Sequence, residues 1–139
     1  IYYDEVVSRL RAAEIFRLYG GRLQVRPYQQ EMSLALAAAD LMITRAGATT
    51  LAEITALGVP AIVVPSPNVV HNHQVINARE LSRQGAAVVI EEQNLNAQLL
   101  QEKIFALLNN PGKLNQMKDN SKRLGYPQAA ENIYKLMFT

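Results

Sequence analysis

The sequence predicts an α/β protein built on a doubly wound parallel sheet. Two observations lead there. Short apolar runs, "LMIT" (41–44), "AIVV" (61–64) and "AAVVI" (86–90), alternate with longer segments whose apolar residues recur at three and four. The connections between them are short and carry Gly or Pro. Uninterrupted apolar runs suit parallel strands covered on both faces, and alternating strands and helices imply right-handed crossovers.

In chain order, Tyr3, Val6, Val7, Leu10, Ala13 and Phe16 mark a first amphipathic helix. Gly20 or Gly21 ends it as a left-handed cap. "RLQVRPY" (22–28) alternates as a short strand closed by Pro27. "EMSLALAAA" (31–39) is an Ala-rich helix, and Asp40 precedes the strand 41–44. A helix over about 49–57 stops at Gly58 and Pro60 before the strand 61–64. A helix from about 72 is capped by Gly85 and leads into the strand 86–90. Three helices, about 96–109, 112–124 and 128–138, finish the chain. A helical start with no preceding strand is unusual for this class, so the sequence reads as a piece of a larger protein, with residues 1–139 forming a single domain.

Composition narrows the function. The 139 residues are 49% hydrophobic, enough for a core and against disorder. No apolar run approaches the roughly 20 residues that span a bilayer, and no signal-peptide pattern opens the chain. The absence of cysteine excludes disulfides, thiolate metal sites and cysteine nucleophiles, and fits a reducing cytoplasm. A net charge of +2 with scattered basic residues argues against nucleic acid.

Ligands of doubly wound sheets sit beyond the carboxyl ends of the strands, so the loops there are the candidates. "TRAGATTLAE" (44–53) is the first. Gly47 lets backbone approach a ligand, the helix start offers free N–H groups and a dipole that favours an anion, and Arg45 adds a full charge. Thr50 and Glu53 also have capping-box spacing, which needs no ligand. Glu53 can serve the box or accept two ribose hydroxyls, and both roles remain open. The loop is neither a Walker motif nor G-x-G-x-x-G. "PSPNVVHNHQVINA" (65–78) is the second candidate, crowding His71, Asn72, His73, Gln74 and Asn77 at a helix start. Histidines two apart diverge on a helix and lack a third ligand nearby, so these groups suit sugar hydroxyls better than metal. "RPYQQE" (26–31) is the third, where backbone beside Tyr28 can meet a base edge, or simply turn the chain.

"DLMITRAGATTLAEITALGVPAIVVPSP", "NHQVINA", "GAAVVI" and "LGYPQAAENIYKLM" together resemble the C-terminal domain of MurG-type glycosyltransferases. These GT-B enzymes move N-acetylglucosamine from UDP to the lipid-linked muramyl-pentapeptide of peptidoglycan synthesis. The resemblance covers nearly the whole chain and implies a Rossmann-like GT-B half-domain that binds UDP-N-acetylglucosamine. Glu53 would take the ribose hydroxyls, and Ala48, Thr49 and Thr50 would approach ribose and pyrophosphate, beside the Gly47 backbone already placed there by its loop chemistry. Gln29, through its backbone, and Tyr28 would read the uracil. His73 and Gln74 would contact sugar and phosphates, with Arg45 near the phosphates, and Asn77 joins them as a side chain suited to sugar hydroxyls. The implied reaction is an inverting displacement with no cofactor and no metal. The implied location is the cytoplasmic face of the bacterial plasma membrane, reached through the parent enzyme. Two parts of the family's pattern lie outside the sequence: a Gly-rich phosphate loop and the N-terminal domain with the acceptor site and the base. The resemblance therefore implies no catalytic residue and no transfer by these residues alone. Another GT-B enzyme, a UDP-sugar epimerase, or a nucleotide-binding module without chemistry remain alternatives, separated by the sugar loop "NHQVINA" and by nucleotide preference.

Overall fold

The computed structural model describes residues 2–67 and 72–138. It divides into two compact units, Ile1–Met32 and Ser33–Thr139.

The first unit is helical. Instead of one helix it carries two, α1 (Tyr3–Ala12) and α2 (Ile15–Tyr19). The break is at Glu14, which adopts a left-handed φ of 54° and pairs with Arg17 at 2.6 Å. Gly20 ends α2 and opens a 3-10 turn to Arg22, but with φ +53° and ψ −138° it is not the left-handed cap expected; it takes an extended positive-φ conformation open to glycine. The predicted strand 22–28 does not form. Leu23 is extended, but the segment pairs with no other strand among the described residues, and alternation without a hydrogen-bonded neighbour does not make a sheet.

The second unit holds the sheet. After α3 (Met32–Ala37), the chain runs β1 (Met42–Thr44), α4 (Ala48–Leu57), β2 (Ala61–Val63), α5 (His73–Arg83) and β3 (Ala87–Val89). A 3-10 turn (Glu92–Asn94) leads to α6 (Ala97–Leu108), α7 (Pro111–Leu124) and α8 (Ala129–Phe138). The strands are parallel in the order β1-β2-β3, so the alternation gives three strands rather than four. Met42 lies level with Ala61 and Ala87, and Thr44 with Val63 and Val89.

Burial explains why the strands are apolar throughout. Alternate residues of a strand face opposite sides. Ala61 and Val63 pack with Leu51 and Ile54 of α4 and with Ala78 and Leu81 of α5. Ile62 and Val64 pack on the other side with Leu107 of α6 and Met117 of α7. Helices therefore cover both faces, the doubly wound arrangement. Local signals set the helix ends. Asn96 and Asn110 accept hydrogen bonds from the Leu99 and Lys113 amides at 2.9 and 3.0 Å, and Pro111 opens α7. Gly58 closes α4 with a φ of 71°, its open side filled by the Lys122 stem.

Candidate functional site

Three parallel strands deliver three loops to one edge of the sheet: Arg45 to Gly47 after β1, Val64 to Pro67 after β2, and Ile90 to Asn94 after β3. Arg45 lies over an open depression of about 390 Å³ lined also by Ile43, Thr44, Val64 and Leu95.

The α4 start decides between the two readings of "TRAGATTLAE". The helix begins at Ala48, with Gly47 as its extended cap residue, and no side chain caps it. Thr50 is therefore already the third helical residue and cannot serve as the cap, so the capping box does not form. Thr49 and Thr50 precede Glu53 by four and three residues and share its face, while Leu51, Ile54 and Thr55 are buried. Glu53 is exposed and makes no hydrogen bond or ion pair among the described residues. Gly47 is not demanded by the fold: its φ is −67°, and a Cβ there would meet nothing nearer than Thr50 Oγ1 at 3.9 Å.

Side chains brace the loops against one another. Asn77 Nδ2 donates to the Ala46 carbonyl at 3.3 Å, tying α5 to the loop after β1. Gln74 Oε1 accepts from the Ser66 amide at 2.9 Å, tying α5 to the loop after β2. Arg45 Nη1 donates to the Val64 carbonyl at 3.3 Å, and Nη2 pairs with Glu92 Oε1 at 2.8 Å. Further along α5, hydrogen bonds from Arg83 and then Gln84 hold the exposed Glu80 carboxyl below its ordinary range.

Arg45, Gly47, Ala48, Thr49, Thr50, Glu53, His73, Gln74 and Asn77 thus gather on the loops and helix starts of this one edge, with His73 exposed at the first residue of α5. Tyr28 and Gln29 belong to the first unit. There Tyr28 is exposed, and the Gln29 side chain accepts from Arg26 Nη1 and donates to the Glu31 carbonyl. His71 lies outside the described residues. Among those described, no three His, Cys, Asp or Glu side chains gather as a metal site. Sequence reasoning missed Glu92. Its signal was positional, an acidic residue just past the third strand at the ligand edge.

The family model described as the glycosyltransferase family 28 C-terminal domain matches residues 8–133. The chain belongs to that family. Its curated relatives carry the name UDP-N-acetylglucosamine–N-acetylmuramyl-(pentapeptide) pyrophosphoryl-undecaprenol N-acetylglucosamine transferase. The one from Acetivibrio thermocellus is 51% identical over 135 residues, covering 97% of this chain and 35% of the relative. The one from Caldanaerobacter subterraneus is 46% identical over 137 residues, covering 99% and 37%. This family 28 domain thus spans little more than a third of the length of those relatives. Among solved structures, Acinetobacter baumannii MurG superposes with a TM-score of 0.73 at 34% identity, covering 81% of this chain and 34% of that one. The glycosyltransferase VinC, at 19% identity and a TM-score of 0.65 over 90% of this chain, supports the fold alone. No helix of the described residues is long and apolar enough to cross a membrane.

Proposed function

We propose that this chain, residues 1–139, is the donor-binding domain of an inverting glycosyltransferase. The donor is UDP-N-acetylglucosamine, and the acceptor is the lipid-linked muramyl-pentapeptide, held by parts of the enzyme outside these residues. The parent works at the cytoplasmic face of the plasma membrane. The observation that carries the reading is the α4 start of a family 28 domain. Among the described residues, a helix N-terminus with no side-chain cap and an exposed carboxylate with no partner stand about one and a half turns apart at the ligand edge of a parallel sheet. The first amides and the helix dipole suit the diphosphate. The Glu53 carboxylate suits the two vicinal ribose hydroxyls, which donate to it. For Tyr28 and Gln29 the proposed role is contact with the uracil, supported by their place within the matched family 28 segment.

In the reaction proposed, the 4-hydroxyl oxygen of the acceptor sugar forms a bond to the anomeric carbon. The bond from that carbon to the β-phosphate oxygen breaks, UDP departs, and the hydroxyl proton passes to a base outside these residues. Residues 45–50 would stabilise the charge that grows on the departing diphosphate. Isothermal titration with UDP-N-acetylglucosamine, UDP, ADP and GDP tests the reading. Uridine nucleotides should bind and the purine nucleotides should not. Equal binding of all four, or of none, refutes it.

A further inference from the structure

Arg45 reaches well past its own strand. Nη1 donates to the carbonyl just beyond β2, and Nη2 pairs with a carboxylate in the turn beyond β3. One guanidinium therefore links the ends of all three strands. Arginine carries five N–H donors, and two of Arg45's have acceptors among the described residues. The partner carboxylate is only half satisfied. Glu92 Oε2 is buried and has no hydrogen-bond partner among the described residues. A buried, unsatisfied oxygen costs stability, and an ion pair whose side chains are 50% and 36% exposed returns little. Fold stability is thus a poor reason for placing Glu92 here. Fixing the direction of Arg45 is a better one, because a long cationic side chain at an open surface otherwise samples many rotamers.

Resting on the donor-site reading above, we propose that Glu92 is a positioning residue for the donor's diphosphate. It acts through Arg45, holding the guanidinium across the strand ends beside the α4 start so that its uncommitted N–H donors meet phosphate oxygens without a search. Carboxylate and carbonyl anchor one side of the cation, and the diphosphate takes the other.

The role is measured by titrating UDP, and by ligand-observed NMR with uridine, against the wild-type chain, Glu92→Gln, Arg45→Ala and the double variant. Glu92→Gln should weaken UDP about three- to tenfold, less than the loss of a whole charge-assisted contact, because Arg45 keeps its charge and its bond to the Val64 carbonyl. Uridine, which carries no phosphate, should bind unchanged. In the Arg45→Ala background, Glu92→Gln should have no further effect on UDP. Unchanged or tighter UDP binding by Glu92→Gln overturns the proposal, the latter by showing that Glu92 competes with phosphate for the arginine. An equal loss for uridine and UDP, or an added loss in the Arg45→Ala background, assigns Glu92 to general architecture and also overturns it. A wild-type chain that binds no UDP refutes the donor-site reading and the positioning role together, an outcome recognisable before any variant is made.

Discussion

Glu53→Gln changes a charge and almost no volume. In the structure this carboxylate is exposed on the second turn of α4, with no hydrogen bond or ion pair among the described residues. The fold therefore has little to lose, and unfolding free energy should move by no more than about 0.5 kcal/mol. A nucleotide has more to lose. Hydrogen bonds to a charged group contribute about 1.5–3 kcal/mol each, and two vicinal ribose hydroxyls make two. If the open surface leaves only the weaker limit of one bond, about 1.5 kcal/mol, the dissociation constant of UDP still rises about tenfold. Titration calorimetry reads the affinity and thermal melting reads the fold. UDP built on 2′-deoxyribose supplies the cross-check: it should bind more weakly than UDP to the wild type but nearly as well as UDP to Glu53→Gln. A falling melting temperature with unchanged UDP affinity would refute the reasoning, because Glu53 would then serve the helix rather than the ligand.

Gly47→Ala should fold normally, since φ and space both admit a Cβ, yet bind UDP severalfold more weakly where a ligand lies against that backbone. Melting and titration of one sample separate the two effects. Gly125→Ala should behave the other way, because its Cβ would fall 2.6 Å from the Thr55 carbonyl oxygen and 2.9 Å from the Ala56 amide, backbone that cannot swing aside. Denaturant melts should show a loss of about 1–3 kcal/mol. Adding zinc or a chelator should change neither melting temperature nor UDP affinity, and stoichiometric zinc in the purified protein would contradict the assignment of His73 to the donor.

What the sequence revealed follows from the range of the interactions involved. The strands at 42–44, 61–63 and 87–89 were legible because burial on both faces requires unbroken apolar runs, and the helices because caps and periodicity are local. The false strand at 22–28 shows the limit. Pairing is a property of two segments, and alternation reports only one of them. The break between α1 and α2 falls at Ala13 and Glu14, with no Gly or Pro to mark it. The capping box had correct spacing in the wrong frame, since the helix had already begun at Ala48. Arg45 was legible as a cation at a helix start. Its partner, 47 residues away, was not.

The braces raise a question that the candidate residues alone do not. Gln74 and Asn77 were assigned to the donor, yet each holds a loop. A side-chain amide has two ends, so the roles need not compete. Gln74 spends its carbonyl oxygen on the Ser66 amide, leaving its NH2 group as a donor for a phosphate or sugar oxygen. Asn77 spends its NH2 group on the Ala46 carbonyl, leaving an oxygen that can accept from a hydroxyl. One end sets the loop and thereby aims the other. Substitution can split the pair of roles. Gln74→Glu keeps an acceptor for Ser66 and replaces the outward donor with a charged oxygen, so the fold should hold while UDP-N-acetylglucosamine binds at least about tenfold more weakly, from a lost donor plus repulsion of phosphate. Asn77→Asp removes the side-chain donor that Ala46 has among the described residues and sets a carboxylate against a carbonyl, so stability and binding should fall together. If Gln74→Glu lost stability in the same proportion as affinity, the amide would be a brace and nothing more.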